Sequence, residues 1–147
     1  MSTTRGHDCG VRTDGTVSCW GYSVSNAQPP SGTFTSTSAA PELTCGVRTD
    51  GTLACWGDPF YMRFLFSNEG DAPAGTFTSL SFGDSHLCGV TIAGAVRCWG
   101  GNGFGEANPP SGTFTMVSAG AEHTCGVMTD GAVACWGRNR FGEASPP

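Results

Sequence analysis

Cys9-Gly10-Val11-Arg12-Thr13-Asp14-Gly15-Thr16-Val17-Ser18-Cys19, followed by Trp20-Gly21, is the unit from which this chain is built. It recurs at Cys45–Cys55, Cys88–Cys98 and Cys125–Cys135, each time with Trp-Gly behind the second cysteine. All eight cysteines and all four tryptophans fall in these units. A loop of Thr13-Asp14-Gly15 is a type I turn closed by a left-handed residue, a position that favours glycine. Arg12 then opposes Thr16, Val11 opposes Val17, Gly10 opposes Ser18, and Cys9 opposes Cys19. A two-residue Asp-Gly turn would put the cysteines out of register, so their spacing selects the loop. Directly opposed residues of an antiparallel pair lie close enough for a disulfide. The expected pairs are Cys9–Cys19, Cys45–Cys55, Cys88–Cys98 and Cys125–Cys135. The third copy has Ala93-Gly94 in the turn. It keeps the glycine and loses the aspartate, as backbone geometry demands.

Alternation assigns faces to each hairpin. Cys9, Val11, Val17 and Cys19 point one way. Gly10, Ser18 and Trp20 point the other, and the Trp20 indole is expected to lie over its cross-strand diagonal Gly10. Both faces carry apolar matter, so each hairpin is expected to sit between neighbours. A further strand is read at Ser31–Ala39, after Pro29-Pro30. Cysteine-to-cysteine periods of 36, 43 and 37 residues, with three or more short strands in each, indicate propeller blades or another repeat array. Met1–Gly6 aligns with Val117–Glu122, and the chain stops where another Ser-Gly-Thr-Phe-Thr strand would begin. The expectation is a single all-β repeat domain over 1–147, with hairpins 9–19, 45–55, 88–98 and 125–135. It holds four repeats of antiparallel strands, as β-propeller blades or a partial propeller completed by self-association.

Composition narrows the function classes. Twenty-three glycines and nine prolines in 147 residues argue against long helices. The chain has no lysine, seven scattered arginines and a net charge of −5. A phosphate-binding surface needs clustered positive charge, so nucleic acid is disfavoured as a partner. No apolar run approaches the roughly 18 residues of a membrane span. Eight cysteines at one spacing point to an oxidising compartment, extracellular or cell-surface. The first repeat begins by His7, which leaves no room for a signal peptide, and no Asn-x-Ser/Thr sequon occurs.

Candidate sites are few. His7, His86 and His123 each stand two residues before a first cysteine, and His-x-Cys with the second cysteine makes three zinc ligands. In the second copy that position is Leu43 while both cysteines stay, which favours disulfides over a metal. Glu106 and Glu143 recur at blade spacing, too far apart to share a substrate, and read as turn-stabilising acids. Asp14, Asp50 and Asp130 read as turn residues, since they lack calcium-loop spacing. No nucleophile elbow or phosphate loop is present. No catalytic constellation and no cofactor are expected. The second connection, Asp58–Gly70, is the irregular one, six residues longer than the third. Its Phe60, Tyr61, Arg63, Phe64 and Phe66 are the candidate contact surface, because aromatics and arginine dominate binding hot spots. The competing readings are an added edge strand packed within the molecule, or a surface that closes an oligomer.

Phe114-Thr115-Met116-Val117-Ser118-Ala119-Gly120-Ala121-Glu122-His123-Thr124-Cys125-Gly126-Val127, with Asp130-Gly131 and Cys135-Trp136-Gly137, resembles the repeat of the regulator of chromosome condensation family. The likeness is to its short cysteine-containing form, seen in bacterial secreted proteins and plant crinkly-type receptor ectodomains. The resemblance implies a β-propeller, usually of seven blades, where this chain has four copies. Four copies allow a four-bladed ring, an arc closed by self-association, or part of a longer array. It also implies protein binding through loops on a rigid disc. The functional expectation is a non-enzymatic protein-binding or scaffold module. The alternatives are a self-assembling structural subunit, ring or filament, and a propeller-type inhibitor directed at an enzyme such as β-lactamase. The partner is accordingly a protein or a second copy of the chain.

Overall fold

The structure, a computed structural model, describes residues 2–3, 6–21, 28–66 and 73–146. Four three-stranded antiparallel sheets follow one another along the chain. Blade 1 is β1 (Ser2–Thr3), β2 (His7–Val11) and β3 (Val17–Gly21). Blade 2 is β4 (Phe34–Ala39), β5 (Leu43–Arg48) and β6 (Leu53–Gly57). A short helix, α1 (Pro59–Leu65), leads to blade 3: β7 (Phe77–Phe82), β8 (His86–Thr91) and β9 (Val96–Gly100). Blade 4 is β10 (Phe114–Ala119), β11 (His123–Met128) and β12 (Val133–Gly137). The first strands β4, β7 and β10 pack against one another from blade to blade, which puts them on the inner side of the array.

The hairpin register is Cys9↔Cys19, Gly10↔Ser18 and Val11↔Val17, repeated in the other three blades. Arg12 N–H donates to Thr16 O at 2.7 Å. Pairs alternate along a ladder, so this bond places the valine and cysteine pairs at the closer, non-hydrogen-bonded positions. The cysteine Cα atoms stand 4.0–4.1 Å apart, and all four pairs are disulfides. Gly15 closes the first turn at φ +83°, and Asp14 Oδ1 accepts from Thr16 N–H and Oγ1. Those bonds, first the Thr16 hydroxyl and then its N–H, hold the Asp14 carboxyl below its usual range. In blade 3, where Ala93 replaces the aspartate, Thr91 Oγ1 accepts the Ala95 N–H instead. The turn thus keeps its bond through a different side chain.

Neighbouring blades meet in one manner. The cysteine face of one blade packs on the tryptophan face of the next: Cys9, Val11 and Val17 against Phe34, Ala54 and Trp56, and Cys88, Val90 and Val96 against Phe114, Ala134 and Trp136. The turns of blades 1, 2 and 3 are also clipped to the following blade. Phe34, Phe77 and Phe114 N–H groups donate to Gly15, Gly51 and Gly94 O, each at 2.8 Å. The tryptophan-over-glycine expectation holds in blade 1 alone, where a Cβ on Gly10 would touch the Trp20 ring at 3.5 Å. In blades 2 and 4 the ring of Phe34 or Phe114 covers Gly46 or Gly126, and in blade 3 Phe77 shares Gly89 with Leu80. Trp56, Trp99 and Trp136 then meet those phenylalanines edge-on, with ring centroids 5.7–6.0 Å apart. A first-strand phenylalanine is nearer to the glycine than the indole can be, and it takes the slot.

Candidate functional site

Two places depart from pure repetition: the junctions between blades, where a polar pair alternates with an apolar one, and α1. The junction pair involves the residue two before each first cysteine and the residue one before the next blade's first cysteine. His7 Nε2 lies 2.7 Å from Thr44 Oγ1, and His86 Nε2 lies 2.7 Å from Thr124 Oγ1. Between blades 2 and 3 the same two positions are Leu43 and Leu87, both buried in one apolar cluster. The histidine and the hydroxyl therefore come and go together. The structure puts His7 and His86 at two separate blade junctions and His123, half-buried, on blade 4, and the cysteine that follows each is bonded to the second cysteine of its own hairpin. Among the described residues no three groups of metal-ligating type cluster.

Proton roles at the second polar junction follow from its geometry. Thr124 Oγ1 donates its single proton to Glu106 O at 3.2 Å. His86 Nε2–H is then the donor to Thr124, and Nδ1 carries the lone pair, without a hydrogen-bond partner among the described residues. Burial pushes the His86 pKa down from 6.5; the Glu106 charge opposes this and His123 adds to it. Glu106 serves twice. Its carboxylate accepts Phe104 N–H at 2.8 Å, the turn role expected of it, and Glu143 does the same for Phe141 at 2.6 Å. The Glu106 carbonyl also takes Trp136 Nε1–H at 2.9 Å, a main-chain role that no residue-type pattern signals. Backbone N–H groups of Glu143 and Phe141 hold the Glu143 carboxyl below its usual range.

In the second connection the added residues form a helix and not an edge strand. Asp58 caps it, accepting Phe60 N–H at 2.7 Å and Tyr61 N–H at 3.3 Å, and Pro59 occupies the first turn, where no N–H is needed. The cap and the proline were readable in Asp58-Pro59, but helical spacing hides in a seven-residue run. Leu65 and Phe66 dock into the cluster of Leu43, Cys45 and Leu87, and Met62 packs beside them. A Cβ on Gly100 would strike Leu65 Cδ1 at 2.6 Å, where its counterpart Gly137 faces Glu106 Cα at 3.0 Å. Leu65 thus fills the slot that Glu106 fills one junction later, an apolar plug beside the apolar Leu43–Leu87 pair.

The contact candidates divide accordingly. Phe66 is 5% exposed and stacks edge-on against Trp99, with centroids 6.5 Å apart, so it belongs to the core and not to the surface set. Phe60, Tyr61 and Phe64 are 77%, 40% and 55% exposed, and Arg63 is exposed beside them. Tyr61 and Phe64 pack edge to face at 6.5 Å. With Asp84 and Ser85 the three aromatics line an open groove of about 270 Å³. Residues 67–70 of the same connection lie outside the described residues.

The family model of the regulator of chromosome condensation (RCC1) repeat matches residues 77–106 and 115–143, so blades 3 and 4 carry repeats of this type. No curated protein sequence matches the chain. Among solved structures, the chain is similar to the CRINKLY WD40 ectodomain of the Arabidopsis thaliana receptor kinase ACR4. The TM-score is 0.75 at 24% identity, over 99% of this chain and 51% of that one. It is similar to Prp20p of Saccharomyces cerevisiae, with a TM-score of 0.73 at 14% identity, over 97% of this chain and 44% of that one. It is also similar to the computationally designed Ika4 protein, with a TM-score of 0.56 at 15% identity, over 92% of this chain and 88% of that one. The fold is therefore that of propeller blades, and this chain spans about half the length of the natural propellers it resembles.

Proposed function

We propose that these blades of regulator of chromosome condensation type form a non-catalytic protein-binding module, secreted or surface-exposed, whose contact surface is the outer face of α1. The observation that carries this reading is the division of the helix. Leu65 and Phe66 lock one side into the core, while Phe60, Tyr61 and Phe64 stand exposed together on the other, with Arg63 beside them. A large apolar side chain held rigidly in solvent costs little ordering entropy on binding and contributes much buried area. Contiguous exposed aromatics of this kind mark interfaces more often than they occur by chance. Protein binding by relatives lends support: Prp20p binds Gsp1p and histones, and the plant structure is a receptor ectodomain. The four disulfides support an oxidising compartment.

The test places a photo-reactive phenylalanine analogue at position 60, and separately at Ile92, which is 69% exposed on a hairpin turn. Both proteins are irradiated in the extracellular fraction of the producing organism. A discrete adduct at position 60, absent at position 92 and abolished by Phe64→Ser, is the expected result. No adduct at 60, or the same adducts from both positions, refutes α1 as the contact surface.

A further inference from the structure

The junction between blades 3 and 4 shows what this chain sets between an exposed ring and a carboxylate. Phe104, five residues after Trp99, is 54% exposed on the connection leaving blade 3. The Arg138 guanidinium lies over its ring, 5.3 Å from the centroid, and pairs with the carboxylate of Glu122 in the β10–β11 turn. An arginine is thus held between a ring of one connection and an acid of the next blade's first turn. Arg140 likewise lies over the exposed Phe141 ring, at 5.4 Å. A guanidinium suits both neighbours, because its plane stacks on an aromatic face while its N–H groups reach a carboxylate.

The junction between blades 2 and 3 has the rings and the acid without the cation. Tyr61 stands five residues after Trp56, the place of Phe104, and its ring and that of Phe64 are two walls inclined at 68°. Asp84 of the β7–β8 turn lines the same groove, exposed, one residue before Ser85. Main-chain bonds fix the correspondence: Gly101 N–H donates to Ser85 O as Arg138 N–H donates to Glu122 O, both at 2.8 Å. The acid has moved back one residue, to the place that Ala121 holds in blade 4. The position that supplies the arginine is here Gly101, which has no side chain. Among the described residues no arginine lies over Phe60, Tyr61 or Phe64, and none pairs with Asp84. Arg63 does not line the groove; at about 100° per helical residue it falls on the side of Phe60 away from Tyr61. Residues 67–72 of the same connection hold two acids, Glu69 and Asp71, and no arginine.

We infer, resting on α1 as the contact surface, that the groove of Phe60, Tyr61, Phe64, Asp84 and Ser85 is a receptor for an arginine side chain of the partner protein. That arginine takes the place that Arg138 takes between Phe104 and Glu122. Its guanidinium plane stacks on the Tyr61 or Phe64 ring, and its N–H groups donate to the Asp84 carboxylate and the Ser85 hydroxyl. With a net charge of −5 and no lysine, the chain favours approach of a basic segment.

The experiment is an NMR titration of the full, oxidised chain with the blocked tripeptide acetyl-Gly-Arg-Gly-amide, beside its citrulline and lysine analogues. The arginine peptide should shift the ring resonances of Phe60, Tyr61 and Phe64 and the amide of Ser85, saturating at millimolar concentration. The Phe104 ring, which Arg138 already covers, should stay unmoved in the same spectra. Citrulline keeps the shape, loses the charge and should bind roughly fivefold more weakly or worse. Lysine, a point charge without a stacking plane, should bind less tightly than arginine. Asp84→Asn should weaken binding by roughly threefold or more, the modest effect of an exposed ion pair, and Phe64→Ser should weaken it independently. Both residues are exposed, and unchanged amide resonances of the four hairpins check that each variant is folded. Absence of shifts at these rings, or equal shifts at Phe104, overturns the inference. So does citrulline or lysine binding as tightly as arginine, or either variant binding as native protein does. A cross-linked adduct from position 60 with no response to the arginine peptide leaves α1 as the contact surface and removes the arginine. A response to the arginine peptide with no such adduct keeps the arginine receptor and removes α1 as the protein contact.

Discussion

Removing the Thr124 hydroxyl tests whether the junction pairs act as units. Thr124→Val keeps shape and volume close to native while deleting the acceptor of His86 Nε2–H, 2.7 Å away at a site where both residues are 0% exposed. The Glu106 carbonyl loses one donor but retains Trp136 Nε1–H at 2.9 Å, so it stays satisfied. The cost is therefore that of one buried, orphaned imidazole N–H, about 1–3 kcal/mol. At roughly 2–4 °C per kcal/mol for a chain of this size, Tm falls by several degrees. His86→Leu with Thr124→Val removes the orphan and approximates the Leu43–Leu87 junction that the chain already uses between blades 2 and 3. The double variant should then recover about 1–2 kcal/mol relative to the sum of the single losses. The assay is calorimetric melting at pH 8, non-reducing, at one low protein concentration. Costs that add to within about 0.5 kcal/mol would show that histidine and threonine do not act as a pair, and the reasoning fails.

Three further outcomes are expected. Burial holds the His86 pKa below 6.5, so the unfolded chain binds a proton that the folded chain refuses. The His86 contribution to stability is flat above that pH and is lost as pH falls from 6.5 toward the lowered folded value; His86→Leu should flatten that part of the Tm-against-pH curve relative to native protein. Gly51→Ala and Gly131→Ala impose similar strain, at φ +85° and +88°, but a Cβ on Gly51 also presses on Thr76 Cβ at 3.2 Å while one on Gly131 meets nothing within 4 Å. Gly131→Ala should cost about 1–2 kcal/mol and Gly51→Ala measurably more by urea unfolding; equal losses would contradict the turn-to-blade clip. Thiol titration of the denatured, non-reduced protein should find none of the eight cysteines free, and Cys88→Ser with Cys98→Ser should lower stability by roughly 3 kcal/mol, as for a disulfide closing so short a loop.

Local physics was legible in the residues. Nine residues between paired cysteines, with a glycine closing the turn, admit one register, and the register fixes the loop, the cross-strand pairs and the face of every side chain. These are nearest-neighbour constraints, satisfied within a single hairpin. The Leu43 departure was visible too, and it separated the histidine from the disulfide. Its partner Leu87 was invisible as a partner, because it lies 44 residues away and one blade over.

The tertiary structure alone decided which surface of Asp58–Phe66 is free. Phe60, Tyr61, Phe64 and Phe66 are equivalent as residue types, and only docking against Trp99 and Leu87 turned Phe66 inward and left the other three in solvent. It decided likewise that phenylalanine, and not tryptophan, covers the strand glycine wherever a first-strand phenylalanine is present. A hairpin carries its own geometry in its spacing. A blade junction is made by side chains from two repeats, and who meets whom there is settled by packing that no single repeat encodes.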